Sequence, residues 1–110
     1  MFKLVVKIIE NSDNNINLMD CGITDKVIPL IVETISKKMG MIRVNMYRNN
    51  ITELGATMLL GLQNIEYLNL GYNNIKESKE LHDMIQNSKI KTIIFNDNPI
   101  TREENGIDST

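Results

Sequence analysis

The sequence predicts a short α/β solenoid in which parallel strands form one side, helices form the other, and one further strand caps the N-terminus. The first observation is a register that recurs in INLMDCGIT, VNMYRNNIT, LNLGYNNIK and IIFNDNPIT. These copies begin at Ile16, Val44, Leu68 and Ile93, in steps of 28, 24 and 25 residues. Secondly, apolar residues alternate within each copy, and thirdly, the first three copies are followed by apolar residues at helical spacing. Repetition on this scale indicates stacked strand and helix units.

Composition predicts one soluble domain spanning residues 1–110, since 42% of the residues are hydrophobic and 24% are charged. A net charge of −2 argues against a nucleic-acid partner. The N-terminal apolar run lacks a small-residue cleavage site and is broken by charges, so we expect neither a signal peptide nor a membrane partner. Cys21 is the single cysteine, which fits a reducing, cytoplasmic location.

The N-terminal segment, residues 1–12, is predicted to hold a capping strand. Over residues 2–9 every second position is apolar, namely Phe2, Leu4, Val6 and Ile8, as one side of a strand would require. The link ENSDNN to the first copy suits a short reversal, which predicts an antiparallel strand.

Three helices are predicted between the strands. The first covers about residues 25–39, with Thr24 as its N-cap and Pro29 near its first turn. The second covers residues 53–62 with Thr52 as its N-cap, and the third covers residues 77–87. The tail, residues 102–110, has no apolar stripe, so we expect it to be flexible and to provide no closing helix.

The repeated register resembles the leucine-rich repeat, whose signature is L-x-x-L-x-L-x-x-N/C-x-L. MIRVNMYRNNI and IEYLNLGYNNI fill every signature position, with Met41 and Met46 at core sites, and about four units cover residues 13–101. The segments ITDKVIPLIVETI and ITELGATMLL are similar to the ribonuclease-inhibitor type of repeat. This resemblance implies a right-handed solenoid whose strands line its concave side and whose helices line its convex side.

The signature Asn or Cys is predicted to form a structural ladder. Asn49, Asn73 and Asn98 occupy this position in three units, and Cys21 occupies it in the first. A buried Asn offers donors and an acceptor to backbone groups that leave the strand without partners, whereas Cys offers only a weak contact.

No catalytic or metal-binding pattern is found, so we expect a non-enzymatic protein without a cofactor. His82 is the only histidine, and with a single Cys it cannot form a Cys/His zinc site. Ser78 lies one turn before His82, but the pair lacks an orienting acid.

The outward positions of the four strands are predicted to bind a protein partner. All three tyrosines and two arginines fall on this side or its rim, and both residue types dominate interface hot spots. The predicted binding residues are Asn17, Met19, Arg43, Asn45, Tyr47, Arg48, Tyr67, Asn69, Tyr72 and Ile94.

Alternatives remain open from the sequence alone. Some relatives of this repeat type stimulate GTPases, and Arg43 or Arg48 could donate charge in that reaction. A small effector of an intracellular microbe that binds a host protein is another reading of the composition. The edge of the last strand, with Ile94 outward, could also form a homodimer unless the tail covers it.

Overall fold

The computed structural model describes residues 2–101 of the chain. Within this part, four strands form one parallel sheet in the order β1-β2-β3-β4. The strands are β1 (Asn15–Asn17), β2 (Ile42–Asn45), β3 (Ile65–Asn69) and β4 (Thr92–Ile94). The four longer helices are α1 (Phe2–Asn11), α2 (Ile28–Ser36), α3 (Glu53–Leu60) and α4 (Lys79–Asn87). The predicted α/β fold with parallel strands is therefore confirmed.

One hydrophobic core joins the inward side of the strands to the helices. Its strand residues alternate with exposed or half-exposed neighbours, as a sheet with one covered side requires. The buried positions in the strands, or directly after them, are Ile16, Leu18, Ile42, Val44, Met46, Ile65, Leu68 and Leu70. The helices contribute Val5, Ile9, Ile28, Ile31, Ile35, Ala56, Leu59, Leu60 and Leu81. Met41 does not join them, because β2 begins only at the next residue, and its exposure is 46%.

The N-terminal cap is helix α1, so the predicted capping strand over residues 2–9 is wrong. Val5 and Ile9 are buried one helical turn apart, and Ile8 packs partly against the same core. At the C-terminal end of α1, Lys38 donates from Nζ to the carbonyls of Ile9 (3.0 Å) and Ser12 (2.8 Å). A short apolar run can satisfy both the strand and the helix period, and here the residues that pack against the core follow the helix period.

The three other helices are shorter than predicted. Helix α2 begins at Ile28 rather than residue 25, and its N-cap is Val27 without a side-chain bond. Thr24 is therefore not the cap; it forms a parallel bridge with Asn50 in the next unit. Thr52 caps α3 as predicted, by accepting from the amide of Leu54.

At the end of the described chain, residues 99–101 are helical. The first of these residues is Pro99. Proline is favoured at the first position of a helix, because the N–H groups of the first turn have no intrahelical acceptor. The predicted flexible tail, residues 102–110, lies outside the described residues. Among residues 2–101, no helix has the length and apolar character needed to cross a bilayer.

Candidate functional site

The side of the sheet opposite the helices, which we call the open face, carries the outward strand residues in aligned rows. The strand pairing places them in register from β1 to β4. The first row is Asn15, Arg43, Tyr67 and Thr92; the second is Asn17, Asn45, Asn69 and Ile94. All of these side chains are exposed or half-exposed, so they form a continuous accessible surface.

The three asparagines of the second row also hold the backbone. The side-chain oxygen of Asn17 accepts from the amide of the residue two positions on, Met19, at 3.1 Å. Asn45 and Asn69 make the same bond to the amides of Tyr47 and Gly71, at 3.0 and 2.9 Å. These bonds fix each side-chain amide with its oxygen toward the backbone. Nδ2 of Asn45 also donates weakly to Sδ of Met19, at 3.9 Å. The sequence analysis missed this structural role, although the N-x-[MYG] spacing in three units is a signal for it.

Arg43 and Tyr67 form the first of two cation and aromatic contacts on the open face. The guanidinium carbon of Arg43 lies 4.3 Å from the centre of the Tyr67 ring, and its Nη1 lies 3.5 Å from the carboxylate of Glu66. The Arg43 and Glu66 side chains are 48% and 34% exposed, so their ion pair adds little stability. The contact with the Tyr67 ring instead holds the guanidinium over the aromatic face.

A second aromatic group lies where the strands end. The rings of Tyr47 and Tyr72 are 5.8 Å apart in an edge-to-face arrangement, and the guanidinium carbon of Arg48 lies 5.8 Å from the Tyr72 ring centre. Gly71 allows this approach, because a Cβ there would lie 2.5 Å from Oδ1 of Asn96 and 2.9 Å from Cδ1 of Tyr47. The structure thus brings the predicted residues Tyr47, Arg48 and Tyr72 together, while Arg43 and Tyr67 form a separate pair.

The strand ends share an unusual backbone conformation that sequence reasoning did not find. Asp20, Arg48, Tyr72 and Asp97 lie at equivalent positions, with φ of 53°, 65°, 56° and 60°. Asp tolerates the left-handed region through its short polar side chain, whereas Arg and Tyr gain nothing comparable from it. The side chains of Asp20, Arg48 and Tyr72 line a groove of about 340 Å³ at this rim.

Buried asparagines link the units behind this rim. Oδ1 of Asn49 accepts from the amides of Cys21 (3.0 Å) and Ile23 (2.9 Å), while its Nδ2 donates to the carbonyl of Leu18 at 2.9 Å. Asn73 and Asn98 are similarly buried, at 9% and 0% exposure. Each of the three side chains bonds to backbone in its own unit and in the preceding one.

Cys21 occupies the same position in the first unit and packs partly against the core, but its side-chain hydrogen bond is local. Its Sγ lies 3.4 Å from the carbonyl of Met19, and its side chain is partly exposed. His82 contacts Glu77, with Nε2 3.1 Å from the carboxylate, on the exposed side of α4. Among the residues that the structure describes, no three His, Cys, Asp or Glu side chains meet as a metal site would require.

A second series of links between units is acidic, and it was not anticipated. The carboxylate of Asp25 accepts from the amide of Thr52 at 2.9 Å and from its hydroxyl. The carboxylate of Glu53, one unit further on, accepts from the amide of Lys76 at 3.1 Å. The recurrence of I-T-D and I-T-E at one register is the sequence signal for these links.

Comparisons of the chain with protein-family models, with curated proteins and with solved structures find no match. The functional assignment therefore rests on the residues and geometry of the open face.

Proposed function

We propose that this chain is a non-enzymatic interaction module with leucine-rich repeat architecture, which binds a protein partner through the open face. In this proposal the sheet lines the concave side of a short right-handed solenoid. The contact is centred on Tyr47, Arg48 and Tyr72 and extends across the face to Arg43 and Tyr67.

The observation that carries this proposal is the left-handed backbone at Arg48 and Tyr72. An L-residue with a long side chain costs about 1 kcal/mol or more in that region, and glycine would avoid the cost. Both side chains are nevertheless exposed, Tyr72 to 51%. Local strain at exposed aromatic and basic side chains is typical of sites retained for binding rather than for folding.

The preorganisation of the face supports the same proposal. Stacking of Arg43 on Tyr67 and of Arg48 near Tyr72 restricts side chains that would otherwise lose rotamer entropy on binding. Tyr and Arg combine large contact area with directional donors, which makes them the most frequent hot-spot residues. The side-chain amides of the second row, each fixed by a backbone bond, lie between the two groups.

The test is affinity capture from cell lysate with three baits. One is the wild type, the second is the double variant Arg48→Gly/Tyr72→Gly, and the third is the control Leu54→Ala. Glycine removes the two side chains while it relieves the left-handed backbone, so the fold should persist. Leu54 is 64% exposed on α3, on the helical side.

We expect at least one protein to be captured by the wild type and by the control but not by the double variant. With that protein purified, Tyr47→Ala and Tyr67→Ala should each weaken binding by about 2 kcal/mol, roughly 30-fold in Kd. If every protein bound by the wild type is bound equally by the double variant, the open face is not the binding site.

A further inference from the structure

The left-handed residues at the strand ends form one evenly spaced line, which we call the rim row: Asp20, Arg48, Tyr72 and Asp97. The amides of the first three each donate to a carbonyl of the next unit at 2.9 Å, so the parallel ladder continues through this row. Neighbouring members are therefore separated by about one strand spacing, roughly 4.8 Å. Because the ladder and a φ between 53° and 65° are shared, the four side chains leave the backbone in the same direction.

The rim row carries its charges in the order acidic, basic, neutral, acidic, and all four residues are exposed. Among the described residues, none of its three charged members takes part in an ion pair. The Asp97 carboxylate accepts from Nδ2 of Asn96 at 3.0 Å, and because that donor is neutral, the negative charge remains. The rim row therefore presents a fixed order of charges that residues 2–101 do not compensate.

We propose that the rim row binds an α-helix of the protein partner, which lies across the ends of the strands. This inference rests on the proposed function and specifies the chemistry of the partner. On one side of the helix, a basic residue faces Asp20 and an acidic residue faces Arg48. An apolar residue then contacts the ring of Tyr72, and a second basic residue faces Asp97. The groove of about 340 Å³ beside the first three positions gives room for the ends of these side chains.

The spacing of the rim row selects a helix rather than an extended strand. From its first to its last member the row spans three strand spacings, about 14 Å. Residues i and i+11 on one side of a helix are about 16 Å apart, whereas four successive residues on one side of a strand span about 20 Å. A helix can therefore keep all four contacts in register with small side-chain adjustments, whereas a strand would displace the outer two.

The test is a titration of the full chain with synthetic alanine-based helical peptides, followed by amide NMR. The matching peptide has Lys, Glu, Leu and Lys at positions i, i+4, i+7 and i+11 of one side. In the exchanged peptide the Glu and the first Lys are interchanged, which keeps composition and net charge. Both peptides are held helical by a lactam bridge on the opposite side. Each is made in both chain directions, because the rim row fixes the order of the charges and not the direction of the helix.

The wild type should bind the matching peptide with a Kd about tenfold below that of the exchanged peptide, since the interchange turns two attractive pairs into two repulsive ones. The double variant Asp20→Arg/Arg48→Asp should reverse this preference at unchanged net charge. Both residue types already occur in the left-handed conformation of the rim row, so the fold of the variant should persist. Leu54→Ala, on the helical side, is the control and should keep the wild-type preference.

Equal affinity of the wild type for the two peptides, or binding of neither at millimolar concentration, would overturn the proposal. A preference that Asp20→Arg/Arg48→Asp leaves unchanged would place the contact elsewhere and would also overturn it. A matching peptide without the bridge and with Pro between Glu and Leu cannot remain helical, so equal binding of that peptide would exclude a helix.

These outcomes are distinguishable from a failure of the proposed function. If a captured protein is lost with Arg48→Gly/Tyr72→Gly while the peptides show no preference for charge order, the open face binds a partner but the rim row does not recognise a helix. If no captured protein is lost with that variant, the proposed function itself fails, whatever the peptides show.

Discussion

Replacing Asn49 with Ala should be the most damaging single change in the asparagine ladder. Its side chain provides the hydrogen-bond partner of three backbone groups for which the described structure gives no other: the amides of Cys21 and Ile23 and the carbonyl of Leu18. The fourth partner, the carbonyl of Met46, keeps a bond from Asn73. At about 1 kcal/mol or more for each orphaned group, the expected loss is roughly 3–5 kcal/mol.

Asn73→Ala is the matched comparison, because it removes the same side chain but leaves fewer backbone groups without a hydrogen-bond partner. Of its partners, the carbonyls of Met46, Leu70 and Gly71 each keep a second donor. Only the amide of Ile51 loses its partner, which corresponds to about 1–2 kcal/mol. The asparagine ladder therefore predicts that Asn49→Ala lowers the free energy of unfolding by more than Asn73→Ala does.

The free energy of unfolding of both variants is measured in urea. Far-ultraviolet circular dichroism is the probe, because the chain has no Trp whose fluorescence could report unfolding. A loss of 3 kcal/mol should lower the midpoint by about 1–3 M, and Asn73→Ala should shift it less than half as far. If the two variants lose equal stability, or if Asn49→Ala loses less than about 1 kcal/mol, the number of backbone groups left without a partner does not set the loss.

Three further changes test other parts of the fold in the same unfolding assay. Ile9→Ala should cost about 2–4 kcal/mol if α1 completes the core, whereas Phe2→Ala, at a residue 50% exposed, should cost less than about 1 kcal/mol. Gly55→Ala should cost about 1–3 kcal/mol because its Cβ would collide with the carboxylate of Asp25, and Asp25→Ala should relieve part of that loss in a double-mutant cycle. Cys21→Asn should change stability by less than about 1 kcal/mol, since the amide of a first-unit Asn has only local carbonyls to bond.

The elements that were predictable from sequence are those whose residues repeat. Four aligned copies fix the strands and their order, because an error in one copy is corrected by the others. α1 has no second copy, and its run FKLVVKIIE fits either period. Only the packing of Val5 and Ile9 against the first unit distinguishes helix from strand, and that is a tertiary effect.

The candidate site was predictable in composition but not in arrangement. Alternation alone places Tyr67 and Asn69 on the same side of β3, and strand register aligns them with Arg43 and Asn45. The recurring Asn is a signal for the bond that Asn69 accepts from the amide two residues on, but no residue type at position 72 indicates that Tyr72 lies in a left-handed conformation. Those features depend on how the chain leaves the strand, which is set by the turn and by the neighbouring units together.

The left-handed position of Arg48 leads to a prediction that separates stability from binding. Arg48→Ala keeps a Cβ and hence the backbone strain, whereas Arg48→Gly removes both. The glycine variant should therefore be more stable than the alanine variant by about 1 kcal/mol, and at least as stable as the wild type. Both variants should lose the same affinity for a partner of the open face, because both lack the guanidinium. An alanine variant as stable as the glycine variant would show that the left-handed backbone carries no strain at this rim, and the argument that binding maintains Arg48 there would fail.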